Sequence, residues 1–405
     1  MNIRQLNILV TGGTTREAFD DVRHISNKSR NLDHGHRVAS ELAKLGAKVT
    51  LVSTKTHLPN PNQVTVIDTK QDGSKIISTN DLREKIDEIV KWFNIVVHLS
   101  VTPSIRPREK KTGKVKRELG SERTTFRVEK NIDLLQHIKN KNFPVAGYDT
   151  RQNLIINKGM EDFKTLITNC LSPERVTSSE KIIPLTNYTQ QLDGKKIIVT
   201  SGRTEEQVTS TGDVITNFAS GRQGHAIAQA LADMGANVVL VTGPTLLPDP
   251  VDRRITTIHI KSANELKNTT LQQLPADAAV CVCAVTNFGL GESSFYDSET
   301  SDNENLCLDL MPDTLASLGK HESNRPRVVV GFAAETDNLI KYANGKLNNK
   351  GVDMIVANNV ARARARDNKR NEVHFVSKEG VESLDEMSKY EVGLKIGQKI
   401  VKLLQ

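Results

Sequence analysis

Two stretches of the chain carry the same order of apolar and polar positions. Each opens on a short apolar run that stops at a glycine, NILVTGG from Asn7 and KIIVTSG from Lys196. Each continues into a segment with apolar residues at helical spacing, GHRVASELAKLG from Gly35 and GHAIAQALADMG from Gly224. Both segments close on a glycine, the residue that best takes the left-handed turn after a helix. A second apolar run then follows, AKVTLVS in one stretch and ANVVLVT in the other. A constant separation of 189 residues carries Thr11 onto Thr200, Leu42 onto Leu231, Gly46 onto Gly235 and Thr56 onto Thr245. Self-similarity over this length marks a duplicated unit.

Further apolar runs extend each copy. QVTVID, IVVHLSV and FPVAGY serve the first, and RITTIHI, AVCVCAV, RVVVGFA, MIVAN and EVHFVS the second. Short apolar strands alternating with amphipathic helices predict an α/β fold, with two tandem Rossmann-like, doubly wound, mostly parallel sheets. A chain of 405 residues is long for one core. The expected division is a first domain over 1–175, a polar, proline-containing linker over 176–194 and a second domain over 195–405.

Composition narrows the class. Hydrophobic residues make up 37% and charged residues 25%, as in a globular domain, and no apolar run reaches the length of about 18 residues that spans a bilayer. The first residues run straight into a strand without a basic region or cleavage site, so no signal peptide is expected. The cysteines, Cys170, Cys281, Cys283 and Cys307, lack zinc or disulfide spacing, which points to a reducing cytoplasm. Cys281 and Cys283 alternate in an apolar run and read as packing. No histidine spacing suggests a metal ligand set. A formal charge of +7 calls for an anionic ligand, while 4% aromatics offers few stacking platforms and disfavours nucleic acid. The glycine loops GGTTRE and SGRTEE stand where an α/β sheet binds phosphate. Neither contains G-x-G-x-x-G or G-K-[ST], so ordinary dinucleotide and Walker sites are not supported.

The second copy carries longer signatures. VITNFASGRQGHAIAQALADMGANVVLVTGPTLLPDP, MPDTLASLG, VVVGFAAETDNLIKYANGKLNNKGVDMIVANNV and VSKEG…SLDEMSKYEVGLKIGQKIV resemble the phosphopantothenate–cysteine ligase family of coenzyme A biosynthesis. The resemblance runs through most of 195–405, and more faintly from residue 1 to about 153. Nothing resembles the flavin-dependent decarboxylase to which bacterial ligases are commonly fused, so no flavin is expected. The resemblance implies small-molecule substrates, 4′-phosphopantothenate and cysteine, with a nucleoside triphosphate, CTP or else ATP, and Mg²⁺. The 4′-phosphopantothenate carboxylate attacks the α-phosphate, giving an acyl-cytidylate and pyrophosphate. The cysteine amine then attacks the acyl carbon, forming the amide and releasing CMP.

Site residues follow by motif. The resemblance implies that Lys346 and Lys350 hold the triphosphate, that Phe332 packs on the nucleotide and that Pro312, Asp313, Thr314 and Leu315 line its base and ribose. It places Cys281, Val282 and Cys283 beside the nucleotide, with Asn287 where the family has an aspartate. Asn217 matches the asparagine that handles the acyl-nucleotide, where an amide could donate to the developing oxyanion. Gly202, Ser220 and Gly221 form the substrate loop, and Asn27 is the first copy's counterpart of Asn217. Read without the family, Lys346 and Lys350 would be solvated charges, and Asn217 a helix cap.

The copies differ in what they keep. The second has no lysine in NFGLGESSFYDSETSDNENLCLDL, where the family carries a lysine-bearing flap. The first has GKVKR, in which Lys114 matches the flap lysine and Lys116 stands beside it, yet it lacks the K-x-x-x-K helix. Family members are dimers with sites near the subunit interface, so the resemblance implies an intramolecular pseudo-dimer with one composite site and scope for further oligomerisation. Two other classes stay open: a decayed homologue that binds nucleotide or RNA without turnover, and a Rossmann-type NAD(P)-dependent oxidoreductase.

Overall fold

The computed structural model describes residues 3–27, 34–54, 58–70, 72–112, 123–141, 143–148, 154–156, 190–290, 305–335, 338–359 and 370–405. Each copy builds one sheet. The first has the spatial order Val64–Ile67, Lys48–Ser53, Asn7–Gly12, Ile95–His98, Val145–Tyr148, Leu154–Ile156. The second begins with the same arrangement, Ile255–His259, Asn237–Thr242, Lys196–Ser201, Ala278–Cys281, Val328–Glu335, and adds Met354–Asn359, Arg370–Ser377 and Gly380–Ser388. Pairing is parallel from Ile255–His259 to Met354–Asn359 and antiparallel beyond.

The sheets diverge at one place. In the second copy, helix Leu339–Lys350 lies between Val328–Glu335 and the parallel strand Met354–Asn359. In the first, only residues 149–153 separate Val145–Tyr148 from Leu154–Ile156. A parallel return needs about a dozen residues, so Leu154–Ile156 pairs antiparallel. The lysine helix therefore has no counterpart there.

Both sheets are covered on both faces. Ile197 and Val199 join one apolar core with helices Arg222–Asp233 and Lys389–Leu404, while Ile198 joins the opposite core with helix Leu339–Lys350. Ile8 and Val10 against Leu9 divide the first sheet in the same way. Gly224 lets its helix lie against the first strand, because a Cβ there would stand 2.4 Å from Ser201 Oγ. Gly35 does the same in the first copy, with Gly12 Cα at 2.5 Å. Leu192, placed in the linker by sequence, is buried in the second copy's core, and its N–H donates to Met234 O. That copy's packing therefore reaches back at least to Leu192.

The copies join through two shared sheets that the apolar runs do not announce. Arg23–Asn27 pairs antiparallel with Asp213–Asn217, and Arg123–Lys130 with Asn305–Leu310. A shift of 190 residues relates Ile25 to Ile215 in the repeated Ile-x-Asn sequence, and these two residues lie opposite one another in the first ladder. A pseudo-twofold axis thus passes between them. Phe19, Ile25, Phe126, Ile215, Phe288 and Leu306 close the joint as one buried cluster. Each such side chain contributes about 1.5–3 kcal/mol by leaving water. The pseudo-dimer expected from the repeat is the arrangement of the molecule.

Candidate functional site

A cleft of about 450 Å³ opens at the carboxyl ends of the second copy's strands, where open α/β sheets hold ligands. Its floor begins at Thr200. The Thr200 hydroxyl accepts from the N–H groups of Val282 and Cys283, each at 3.1 Å, and draws the chain out of the strand that ends at Cys281. Cys281, Val282 and Cys283 therefore line the cleft. Burial pushes the Cys281 thiol up to about 12, and burial raises that of Cys283 as well, so both are neutral packing groups.

The loop that leads into helix Arg222–Asp233 is held from behind. Thr245 Oγ1 donates to Ser220 O at 2.9 Å and Ser201 Oγ to Gly221 O at 3.0 Å. Gly221, at φ +77°, turns the chain into helix Arg222–Asp233, which no side chain caps. Gly202, Ser220 and Gly221 all line the cleft.

The opposite wall carries the lysines. Lys346 Nζ lies 3.1 Å from Glu335 Oε1, and Lys350 Nζ is paired with Asp313 Oδ2. Asp313 also caps helix Thr314–Gly319, accepting from Ala316 N at 2.8 Å. That bond fixes Pro312, Asp313, Thr314 and Leu315 along the rim. Phe332 reaches the cleft from the central strand Val328–Glu335. Asn287 lines it as well, and its backbone oxygen accepts from Met311 N at 2.9 Å.

Asn217 stands in the cleft with its amide committed. Nδ2 donates to Ala284 O and to Thr286 Oγ1, both at 3.1 Å. A carbonyl can only accept, so the nitrogen must face Ala284. The two amide hydrogens are thereby spent. The expected donation to an oxyanion is not available in this arrangement, and Oδ1 is left to act as an acceptor.

Asn27 corrects a second expectation: it does not line the cleft. Its Nδ2 donates to Asp213 Oδ1 at 2.8 Å, and Asp213 also accepts from Ser104 N at 2.8 Å and from Ser104 Oγ. What the first copy brings to the cleft is Val22 and Arg23. Arg23 sits opposite Asn217 in the shared ladder, and Asn27 opposite Asp213. The pseudo-twofold axis exchanges these pairs, so one asparagine faces an arginine and the other a buried carboxylate. Arg23 is 4% exposed, clamped by Asp20 at 2.7 Å with its guanidinium 5.0 Å over the Phe288 ring. Burial raises the pKa of Asp213, and any ionised carboxylate there disfavours phosphate.

Lys114, Lys116 and the acidic stretch 291–304 lie outside the described residues. Sequence reasoning missed Arg23, Arg222, Lys389, Asn358 and Asn371, all of which line the cleft. For Arg23 a signal existed: DDVRHISN against TSTGDVITN sets arginine against aspartate at a repeated position. Among the described residues no cluster of three or more His, Cys, Asp or Glu side chains could hold a metal.

Fold and cleft together define a duplicated, Rossmann-like α/β protein with a polar cleft at the strand ends of its second copy. The family described as DNA/pantothenate metabolism flavoprotein C-terminal domain matches twice, over residues 3–166 and 192–404. The chain belongs to this family, that of the phosphopantothenate–cysteine ligases. Among its relatives, Coenzyme A biosynthesis bifunctional protein CoaBC of Vibrio vulnificus strain YJ016 is 36% identical over 174 residues, 42% of each chain. The Haemophilus influenzae protein of the same name is 33% identical over 218 residues, 53% of this chain and 54% of the relative. The chain thus matches about half the length of these relatives. The crystal structure of the C-terminal domain of CoaBC is similar at 32% identity with a TM-score of 0.44, covering 53% of this chain and 98% of that one.

Proposed function

We propose that the chain is a phosphopantothenate–cysteine ligase with one working site, housed in the second copy and completed by the first. The observation that carries this reading is the composition of the cleft. Asn217, Phe332, Lys346 and Lys350 meet there, and Arg23 reaches in from the other copy.

Formation of the acyl-cytidylate brings a carboxylate to a phosphate, so the first task is to neutralise and align two anions. Arg23 is suited to this task, because Asp20 and Phe288 fix its direction before substrate arrives. In the second step the cysteine amine attacks the acyl carbon and CMP leaves. Asn217 Oδ1 can accept from that amine and aim its lone pair, while Ala284 and Thr286 hold the amide still. The thiols of Cys281 and Cys283, raised by burial, stay out of the chemistry. Both copies match the C-terminal-domain family, and the reading uses no flavin. No described helix is long and apolar enough to cross a membrane. The free thiols Cys281, Cys283 and Cys307 fit a reducing compartment, and we place the reaction in the cytoplasm.

The test is pyrophosphate release from CTP, and separately from ATP, with 4′-phosphopantothenate, cysteine and Mg²⁺. Arg23→Ala and Lys346→Ala are each expected to lower turnover roughly 10²- to 10³-fold, the usual cost of one transition-state contact. Lys114→Ala is expected to do the same if Lys114 serves this site. Turnover unchanged in Arg23→Ala would sink the shared site. Asn287, an amide in the family's aspartate position, favours the second reading of a binding protein without turnover. Nucleotide bound by the wild type with no pyrophosphate released would decide for it.

A further inference from the structure

Asn27 and Asn217 end equivalent strands and make different bonds, and their surroundings differ at one hydroxyl. In the second copy three buried threonines are bonded together. Thr216 Oγ1 donates to Thr204 O at 2.8 Å and Thr286 Oγ1 donates to the same carbonyl at 3.2 Å, while Thr204 Oγ1 accepts from Thr286 N at 2.8 Å. With its hydrogen committed to Thr204, the Thr286 hydroxyl presents a lone pair, and Asn217 Nδ2 donates to it. The second amide hydrogen goes to Ala284 O.

The first copy repeats this arrangement with one member changed. Ser26 Oγ donates to Thr15 O at 3.3 Å, as Thr216 does to Thr204 O. Val101 O accepts from Thr15 N, as Ala284 O does from Thr204 N. Val101 and Ala284 also form matching isolated bridges, to Thr14 and to Arg203, and these set the register. Two residues further on, Pro103 stands where Thr286 does. Proline has no hydroxyl. The carbonyl is still in place, yet Asn27 Nδ2 donates to Asp213 Oδ1 at 2.8 Å and to Thr211 O at 3.5 Å. An asparagine amide turns easily about its last bond, so the hydroxyl, and not the carbonyl, separates the two outcomes.

We infer that Thr286 is a positioning residue for the second step of the ligase reaction, fixing the Asn217 amide so that Oδ1 is its working atom. This rests on the ligase reading above. In that step the C–N bond forms as the acyl C–O bond breaks, the electron pair leaves on CMP and the amine's proton passes to water. Oδ1 accepts from one N–H of the attacking amine and turns its lone pair to the acyl carbon. Activation by CTP involves no amine and does not call on Thr286.

The test separates the two steps in a single turnover of the full chain with CTP, 4′-phosphopantothenate and Mg²⁺. Pyrophosphate release is followed before cysteine is added, and CMP release after. Thr286→Val and Thr286→Ala, which lack the hydroxyl, should release pyrophosphate at the wild-type rate, accumulate acyl-cytidylate and form the amide roughly 10- to 10²-fold more slowly. Thr286→Ser, which keeps the hydroxyl, should restore the second step. Crystal structures of the valine and alanine variants should show the Asn217 amide turned off Ala284 O. Two steps slowed alike, amide formation at the wild-type rate, or an amide that stays in place overturns the assignment. A wild type that releases no pyrophosphate, with the amide turned in the variant structures, would keep the hold of Thr286 on Asn217 and remove the ligase reading instead.

Discussion

Thr11 and Thr200 occupy the same repeated position and pin the same kind of loop. Thr11 Oγ1 accepts from Leu99 N and Ser100 N, as Thr200 does from Val282 N and Cys283 N. With both lone pairs used, the Thr11 hydroxyl hydrogen must go to His98 Nδ1, 2.8 Å away, so His98 carries its proton on Nε2 and is neutral. Burial then holds the His98 pKa down to about 4. The unfolded chain protonates near 6.5, so stability present above that pH is lost as the pH falls toward 4, by roughly 2 kcal/mol at pH 5. Urea midpoints at pH 7.5 and pH 5 check this, and His98→Gln should flatten the difference. Legibility at this scale depended on context. Asn217, Phe332, Lys346 and Lys350 stand in long, specific motifs and were readable. Arg23 lies in the copy that appeared degraded, and its value shows only when its partner strand is known. The role expected of Asn217 missed because a motif names a residue and not the bonds that occupy its nitrogen.

Apolar period and terminal glycines sufficed to place most helices and the parallel strands, since those elements bury a continuous face within their own copy. Arg23–Asn27 and Asp213–Asn217 escaped because RHISN and DVITN are short, largely polar and paired with another copy. Their burial comes from the joint and not from any local pattern. The repeated Gly-His announced a helix start but not its purpose. An alanine Cβ at Gly224 would lie 2.4 Å from Ser201 Oγ and 2.9 Å from Ser201 Cα, so the helix would have to move off the strand. Gly224→Ala is expected to cost roughly 1–3 kcal/mol and to weaken nucleotide binding, since the same helix opens the cleft. Gly345→Ala meets nothing within 4 Å inside helix Leu339–Lys350 and should instead gain about 0.5–1 kcal/mol. Thermal unfolding of the two variants side by side gives opposite shifts if packing, and not helix propensity, governs residue 224.

The whole molecule draws one site from two copies held by a covalent chain. A homodimer of this design falls apart on dilution, whereas here the partner stays at a fixed effective concentration. Specific activity per chain should therefore stay constant from micromolar to nanomolar protein, measured as pyrophosphate released per mole. A decline would mean that a further assembly completes the site. The Ile25–Ile215 pair has a longer consequence. Where a subunit meets its twin across a twofold axis, every substitution is made twice, and a charge beside the axis must tolerate its own image. Joining the twins in one gene removes that constraint. Positions 23 and 213 could then drift to opposite signs, one half keeping the guanidinium and the other a buried carboxylate bonded to Asn27 and Ser104, so the protein has exchanged symmetry for division of labour.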